Sequence, residues 1–204
     1  MTEVANTRIT ISIEDQNKLG EVCSIAMDAA AITLSTLLNH NVKITTPKVS
    51  IATWDGLREI YGGGGVGVRA SYKEGLSGAN FLILRDRDAK VIANVMMGGA
   101  GQVEVPIVID EMDLSAVCEA MNQMIGTTAT ALAEICNKKI NIGVPETIIL
   151  KVNDETVMQR IGFSSDRLIA MVDFRIEVGE LINSEFVLVF HIDTAQELIN
   201  SYKK

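Results

Sequence analysis

Glu119 and Asn122 stand three residues apart inside an otherwise apolar stretch, SAVCEAMNQMIG at 115–126. In a helix this spacing brings both side chains to one face, one turn apart. A carboxamide neither gains nor loses a proton near neutral pH, but with one donor and one acceptor it can hold a water. The carboxylate beside it can pair with a cation on a partner and fix that partner's orientation. Placing a water in line with phosphorus is the main demand of phosphoryl transfer, with charge stabilised by a metal and a lysine. The pair is sufficient for that chemistry only if a partner brings the metal, the lysine and the phosphate. The plainer alternative is a solvated patch on an amphipathic helix, the commoner fate of a Glu/Asn pair.

The periodicity predicts a helix from about Leu114 to Asn137. Leu114, Val117, Cys118, Met121, Ile125, Leu132 and Ile135 recur at intervals that mark a buried face. Beside them runs a second stripe of Ser115, Glu119, Asn122, Gly126, Ala129 and Ala133, along which a partner surface could approach. The same pattern occurs earlier in the chain. Residues 21–47 align without a gap on 119–145, matching Glu21 with Glu119, Leu34 with Leu132, Asn39 with Asn137 and Pro47 with Pro145. After each proline come an extended apolar run and two alternating runs joined by a short turn. Each half closes on a short helix with aspartate at its N-cap.

The expected fold is therefore α/β, of the α+β type. A helix-strand-strand-strand-helix unit is duplicated about a pseudo-twofold axis, with antiparallel sheet packed against the long helices. Each set of three consecutive strands is expected to pair as neighbours. The halves run over about 13–98 and 110–202, and their seam lies in GGAGQVEVPIVIDEMD at 98–113.

Composition narrows the function classes. A net charge of −8 without a basic patch argues against nucleic acid. Cys23, Cys118 and Cys136 are odd in number and lie in apolar context, as buried thiols of a reducing compartment do. No secretion signal and no apolar run of spanning length is found, which gives the expectation of a cytoplasmic protein without a transmembrane segment. GGGGVG at 62–67 satisfies a dinucleotide fingerprint in spacing but leads into a strand pattern, the reverse of what a phosphate loop needs. His40 and His191 stand alone. Asp86 and Asp88 fit helix capping better than calcium binding, so no metal site is expected.

Ser115, Glu119, Asn122 and Pro145 resemble the signature of the CheC/FliY-type chemotaxis phosphatases: Asp or Ser, three residues, Glu, two residues, Asn, twenty-two residues, Pro. The likeness extends over almost the whole chain and makes it a single CheC-like domain. It implies hydrolysis of the aspartyl phosphate of the response regulator CheY at the flagellar switch. Asn122 would place the water and Glu119 would pair with a regulator lysine. The chain would need no cofactor of its own, since Mg2+ is expected on the regulator. It also implies FliM-, FliN- and FliG-type switch proteins as partners, a place at the cytoplasmic face of the flagellar basal body, and a missing C-terminal FliN-like domain. In the first half the signature positions read Asn17, Glu21, Ser24 and Pro47, so the carboxamide has become a shorter hydroxyl. Asp28 also replaces the glycine seen at 126. This first site is expected to be catalytically weak or inactive. A non-catalytic adaptor of the switch is the alternative.

Overall fold

The computed structural model describes residues 11–61, 64–150, 162 and 167–202. Two helices of 26 residues organise it, α1 (Ile13–Leu38) and a later helix, Glu111–Cys136. Their ends are built alike. Ser12 caps α1, its Oγ accepting from the Asp15 amide at 3.1 Å. Asp110 caps the later helix, its carboxylate accepting from the Asp113 amide at 2.9 Å. Such a cap satisfies one of the amides that have no partner within the helix. Both helices stop at an asparagine in the left-handed region, Asn39 at φ 51° and Asn137 at φ 47°. Asparagine tolerates that conformation better than most residues, so the matched pair fixes the same exit in both halves.

After α1 come β1 (Val42–Thr53), α2 (Trp54–Tyr61), β2 (Gly65–Glu74), β3 (Ala79–Leu84) and α3 (Asp86–Met96). The second half holds α4 (Glu111–Cys136), β4 (Asn141–Ile142), β5 (Glu146–Leu150), β6 (Leu168–Val178), β7 (Ile182–His191) and α5 (Ile192–Ser201). The strands form one sheet in the order β1-β6-β7-β3-β2-β4, with β5 also on β2. All recorded pairings are antiparallel.

One expectation is corrected here. The three strands of a half do not pair as consecutive neighbours: β1 joins β6 of the other half, and β5 joins β2. Only strands linked by a tight turn must lie side by side, as β2–β3 and β6–β7 do. The connection from β1 to β2 instead contains α2, an element the sequence patterns did not reveal, and this frees β1 to cross over. Each half therefore completes the other's sheet. Pro47 and Pro145 lie at the two sheet edges. Proline, lacking an amide, is tolerated there, and the register shifts between Thr45 and Lys48 around Pro47.

A large core joins α1, α3, α4 and α5 to one sheet face, and a smaller one lies under α2 on the other. Alternation along β3 sends Leu82 and Leu84 to the first core and Phe81 and Ile83 to the second. That is why FLIL reads as one unbroken apolar run. By length and composition α1 could cross a membrane, contrary to the sequence expectation that no run was long enough. Its apolar face, from Leu19 and Val22 to Leu34 and Leu38, is instead buried in the core. The short helices also differ from expectation at their caps. Arg85 and His191 hold the N-cap positions without a side-chain cap, while Asp86, Asp88 and Asp193 sit in the first turn, where a negative charge suits the helix dipole.

Candidate functional site

Ser115, Glu119 and Asn122 are exposed on one face of α4, as the spacing requires. The Ser115 hydroxyl donates to the Glu111 carbonyl at 2.9 Å, tying it to its own helix. Gln123 Nε2 donates to Glu119 Oε1 at 2.9 Å, and among the described residues the other carboxylate oxygen has no partner. Among the described residues, Asn122 has no hydrogen-bond partner for its carboxamide. Pro145 packs behind this row, its carbonyl accepting from Cys118 Sγ at 3.4 Å. Cys118 is thus half-buried rather than part of a fully buried set, and burial raises its thiol pKa with a contribution from Glu119. Cys23 is fully buried and its thiol is pushed up to about 12 by loss of solvation.

The approachable stripe is shorter than its sequence pattern. Gly126 is exposed and a Cβ there would meet nothing within 4 Å. Beyond it Ala129 is buried and Ala133 half-buried. Here α4 packs along α1, with the Thr33 hydroxyl donating to Thr127 Oγ1 at 3.0 Å. The open face therefore covers Ser115, Glu119, Asn122 and Gly126.

Three further residues brace the start of α4. Asp110 and Asp113 form a reciprocal capping box, with Asp113 Oδ2 accepting from the Asp110 amide at 2.9 Å. The same oxygen lies 2.6 Å from Lys90 Nζ on α3. Sequence patterns assigned DEMD to the seam. Its aspartates at a capping-box interval were a usable local signal, but Lys90 lies 23 residues away and carried none.

In the first half, Asn17 is exposed whereas Glu21 and Ser24 are half-buried. They line a groove of about 450 Å³ with Gly20, Pro47 and Val49. Ile13 and Ile25 add apolar surface to it and are 78% and 40% exposed. Gly20 occupies the place that Cys118 holds in the second half. A Cβ on it would stand 3.3 Å from Val49 and 3.6 Å from Pro47, so the glycine permits close approach of β1. The groove brings the predicted set Asn17, Glu21, Ser24 and Pro47 together, but Ser24 offers only a short hydroxyl.

The other motifs stay apart from these sites. The glycine run follows α2 and leads from Gly64 into β2, while Gly62 and Gly63 lie outside the described residues. His191 begins α5, and its pKa is lowered chiefly by burial. Among the described residues, no three His, Cys, Asp or Glu side chains gather as metal ligands.

Fold and exposed Glu/Asn face together define a CheC-like protein, and comparison with known proteins agrees. A family model described as CheC-like matches residues 112–149, the segment from the start of α4 through β5. The crystal structure of Thermotoga maritima FliY superposes with a TM-score of 0.87 at 36% identity, covering 95% of this chain and 98% of that one. The flagellar motor switch phosphatase FliY of Bacillus subtilis is 37% identical over 191 residues, which is 94% of this chain and 50% of that protein. The chain belongs to the FliY group of the CheC-like family and spans about half the length of the Bacillus protein. The FliM middle domain of H. pylori has the same fold, with a TM-score of 0.72 at 10% identity over 94% of this chain and 99% of that one.

Proposed function

We propose that the chain hydrolyses the aspartyl phosphate of a CheY-type response regulator at the cytoplasmic face of the flagellar motor, in the company of FliM-, FliN- and FliG-type switch proteins. Asn122 holds the attacking water in line with phosphorus. Glu119 pairs with a lysine of the regulator and so fixes how the two proteins meet. The regulator brings the phosphate and its magnesium, so this chain's residues orient and position without forming a covalent intermediate. Support comes above all from the exposed face of α4, where Glu119 and Asn122 lie one turn apart beside an open glycine. A glycine within a helix costs about 0.5–1 kcal/mol relative to alanine, and nothing among the described residues takes up the room it leaves. A docked partner would use it.

The experiment is decay of CheY-phosphate with and without the chain. Acceleration at substoichiometric concentration that is lost in Asn122→Ala is the expected result. Unchanged decay in that variant would refute the role of Asn122.

A non-catalytic adaptor within the switch is the second reading, favoured by the fold shared with a FliM middle domain and by Ser24 in the first half. Turnover by catalytic amounts of the chain eliminates it, because a binder alone cannot turn over.

A further inference from the structure

Both long helices begin at a side-chain N-cap, yet among the described residues an ion pair from a neighbouring helix reaches only the start of α4. In α4, Asp113 at the third helical position is 1% exposed and meets Lys90 from α3. Its second oxygen, Oδ1, has no partner among the described residues. In α1 the matching residue is Asp15, which is half-buried and accepts a hydrogen bond from the Ser12 hydroxyl at 2.8 Å. Counted from the helix starts at Arg85 and His191, Lys90 corresponds to Gln196 on α5, and the buried pairs Ala89/Ala195 and Ile92/Leu198 agree with that alignment. Gln196 directs its amide to Asn200 of its own helix at 3.2 Å. Among the described residues, no ion pair joins α5 to Asp15.

Asp113 is buried and the Lys90 side chain is 27% exposed; such a pair seldom stabilises more than apolar residues of the same volume would, because the carboxylate is desolvated and the ammonium partly so. An unpaired buried carboxylate oxygen adds to that penalty. Stability alone is therefore a poor reason for this pair. What it supplies is a single rotational setting of α4 against α3. Glu119 lies six residues beyond Asp113, about 9 Å along the helix. Within one unbroken helix, a turn at the start carries through to Glu119 and Asn122.

We infer that Lys90, acting through Asp113, is a positioning residue for Glu119 and Asn122: it sets the rotation of α4 at which both side chains meet one partner surface. This rests on the phosphatase reading, since the geometry it protects is that of the water and the regulator lysine. The half that holds the carboxamide also holds the clamp, and the half with Ser24 shows neither among the described residues.

The test uses this chain and phosphorylated CheY, with initial rates over a range of regulator concentrations and a thermal melt of each variant. Lys90→Met by itself leaves a buried charge unpaired and endangers folding. The decisive variant is therefore Lys90→Met with Asp113→Asn, which removes both charges and retains an acceptor for the Asp110 amide. It is expected to melt at or above the wild-type temperature, with half-saturation within twofold and a maximal rate roughly tenfold lower, within the range that a small misplacement of reacting groups produces. Lys90→Arg keeps most of the rate. A full maximal rate in the double variant, a loss that merely tracks its unfolded fraction, or a change in half-saturation alone overturns the inference. Asn122→Ala in the same assay separates the two levels. If it slows turnover and the double variant does not, only the positioning role fails; if it has no effect, both fall.

Discussion

Ser24 on α1 and Asn122 on α4 hold the same place in two copies of one motif, and their surroundings have diverged in opposite senses. Around Asn122 the helix is exposed, a glycine leaves room at 126, and Lys90 clamps the helix start. Around Ser24 there is a groove, an aspartate stands at 28, and the helix start has no such clamp among the described residues. The features that determine the fold are shared: the caps, the left-handed asparagines, the edge prolines, and Leu34 with Leu132. The duplication is therefore present as architecture in both halves, while the carboxamide that the proposed reaction calls for stands in one.

If the halves are equal as scaffold, truncating matched core residues must cost the same. Leu34→Ala and Leu132→Ala, at 1% and 3% exposure, are each expected to lower unfolding free energy by about 2–5 kcal/mol, read by denaturant titration. A silent variant in either half would break the equivalence.

Gly126 tests the contrast in chemistry. Gly126→Ala meets no steric obstacle and should raise stability by about 0.5–1 kcal/mol. Gly126→Asp copies Asp28 onto the open face. It should raise the regulator concentration needed for half-maximal rate about tenfold, a difference of about 1.4 kcal/mol. Equal turnover by both variants would show that the partner does not approach this line.

The smallest difference concerns the caps. The Asp110 carboxyl is held below its ordinary value of 3.8, first by the hydrogen bond from the Asp113 amide. A lowered acid stabilises the fold above pH 3.8 and loses that contribution as pH falls through its folded value. Asp110→Asn should therefore differ slightly from wild type near neutrality and converge with it in acid. Ser12 has no proton to lose in that range. A gap that widened in acid would contradict this.

Much of the architecture was legible because its causes are local. The helical stripes each lie within a few neighbouring residues, and the gapless alignment of 21–47 on 119–145 exposed the duplication and paired Asn39 with Asn137; the caps are equally local, yet at the short helices the aspartates expected there sit in the first turn instead. The exchange of β1 and β5 between halves was not legible, since alternation shows which side of a strand is buried but not which strand lies beside it. The helix α2 escaped because eight residues give barely two turns of periodicity, here mainly the buried Trp54 and Leu57. For the candidate site, spacing alone brought Ser115, Glu119 and Asn122 to one face, while Pro145 entered through the family signature and its place behind them came from the fold. The Lys90–Asp113 contact joins separate helices and needed three dimensions. So did the packing that buries Ala129 and shortens the approachable stripe.

The most direct measurement compares CheY-phosphate decay under substoichiometric amounts of wild type, Asn122→Ala and Ser24→Ala. Asn122→Ala is expected to lose roughly a hundredfold in rate, while Ser24→Ala retains most of it. Equal losses in the two variants, or no loss in Asn122→Ala, would contradict the assignment of catalysis to the second half.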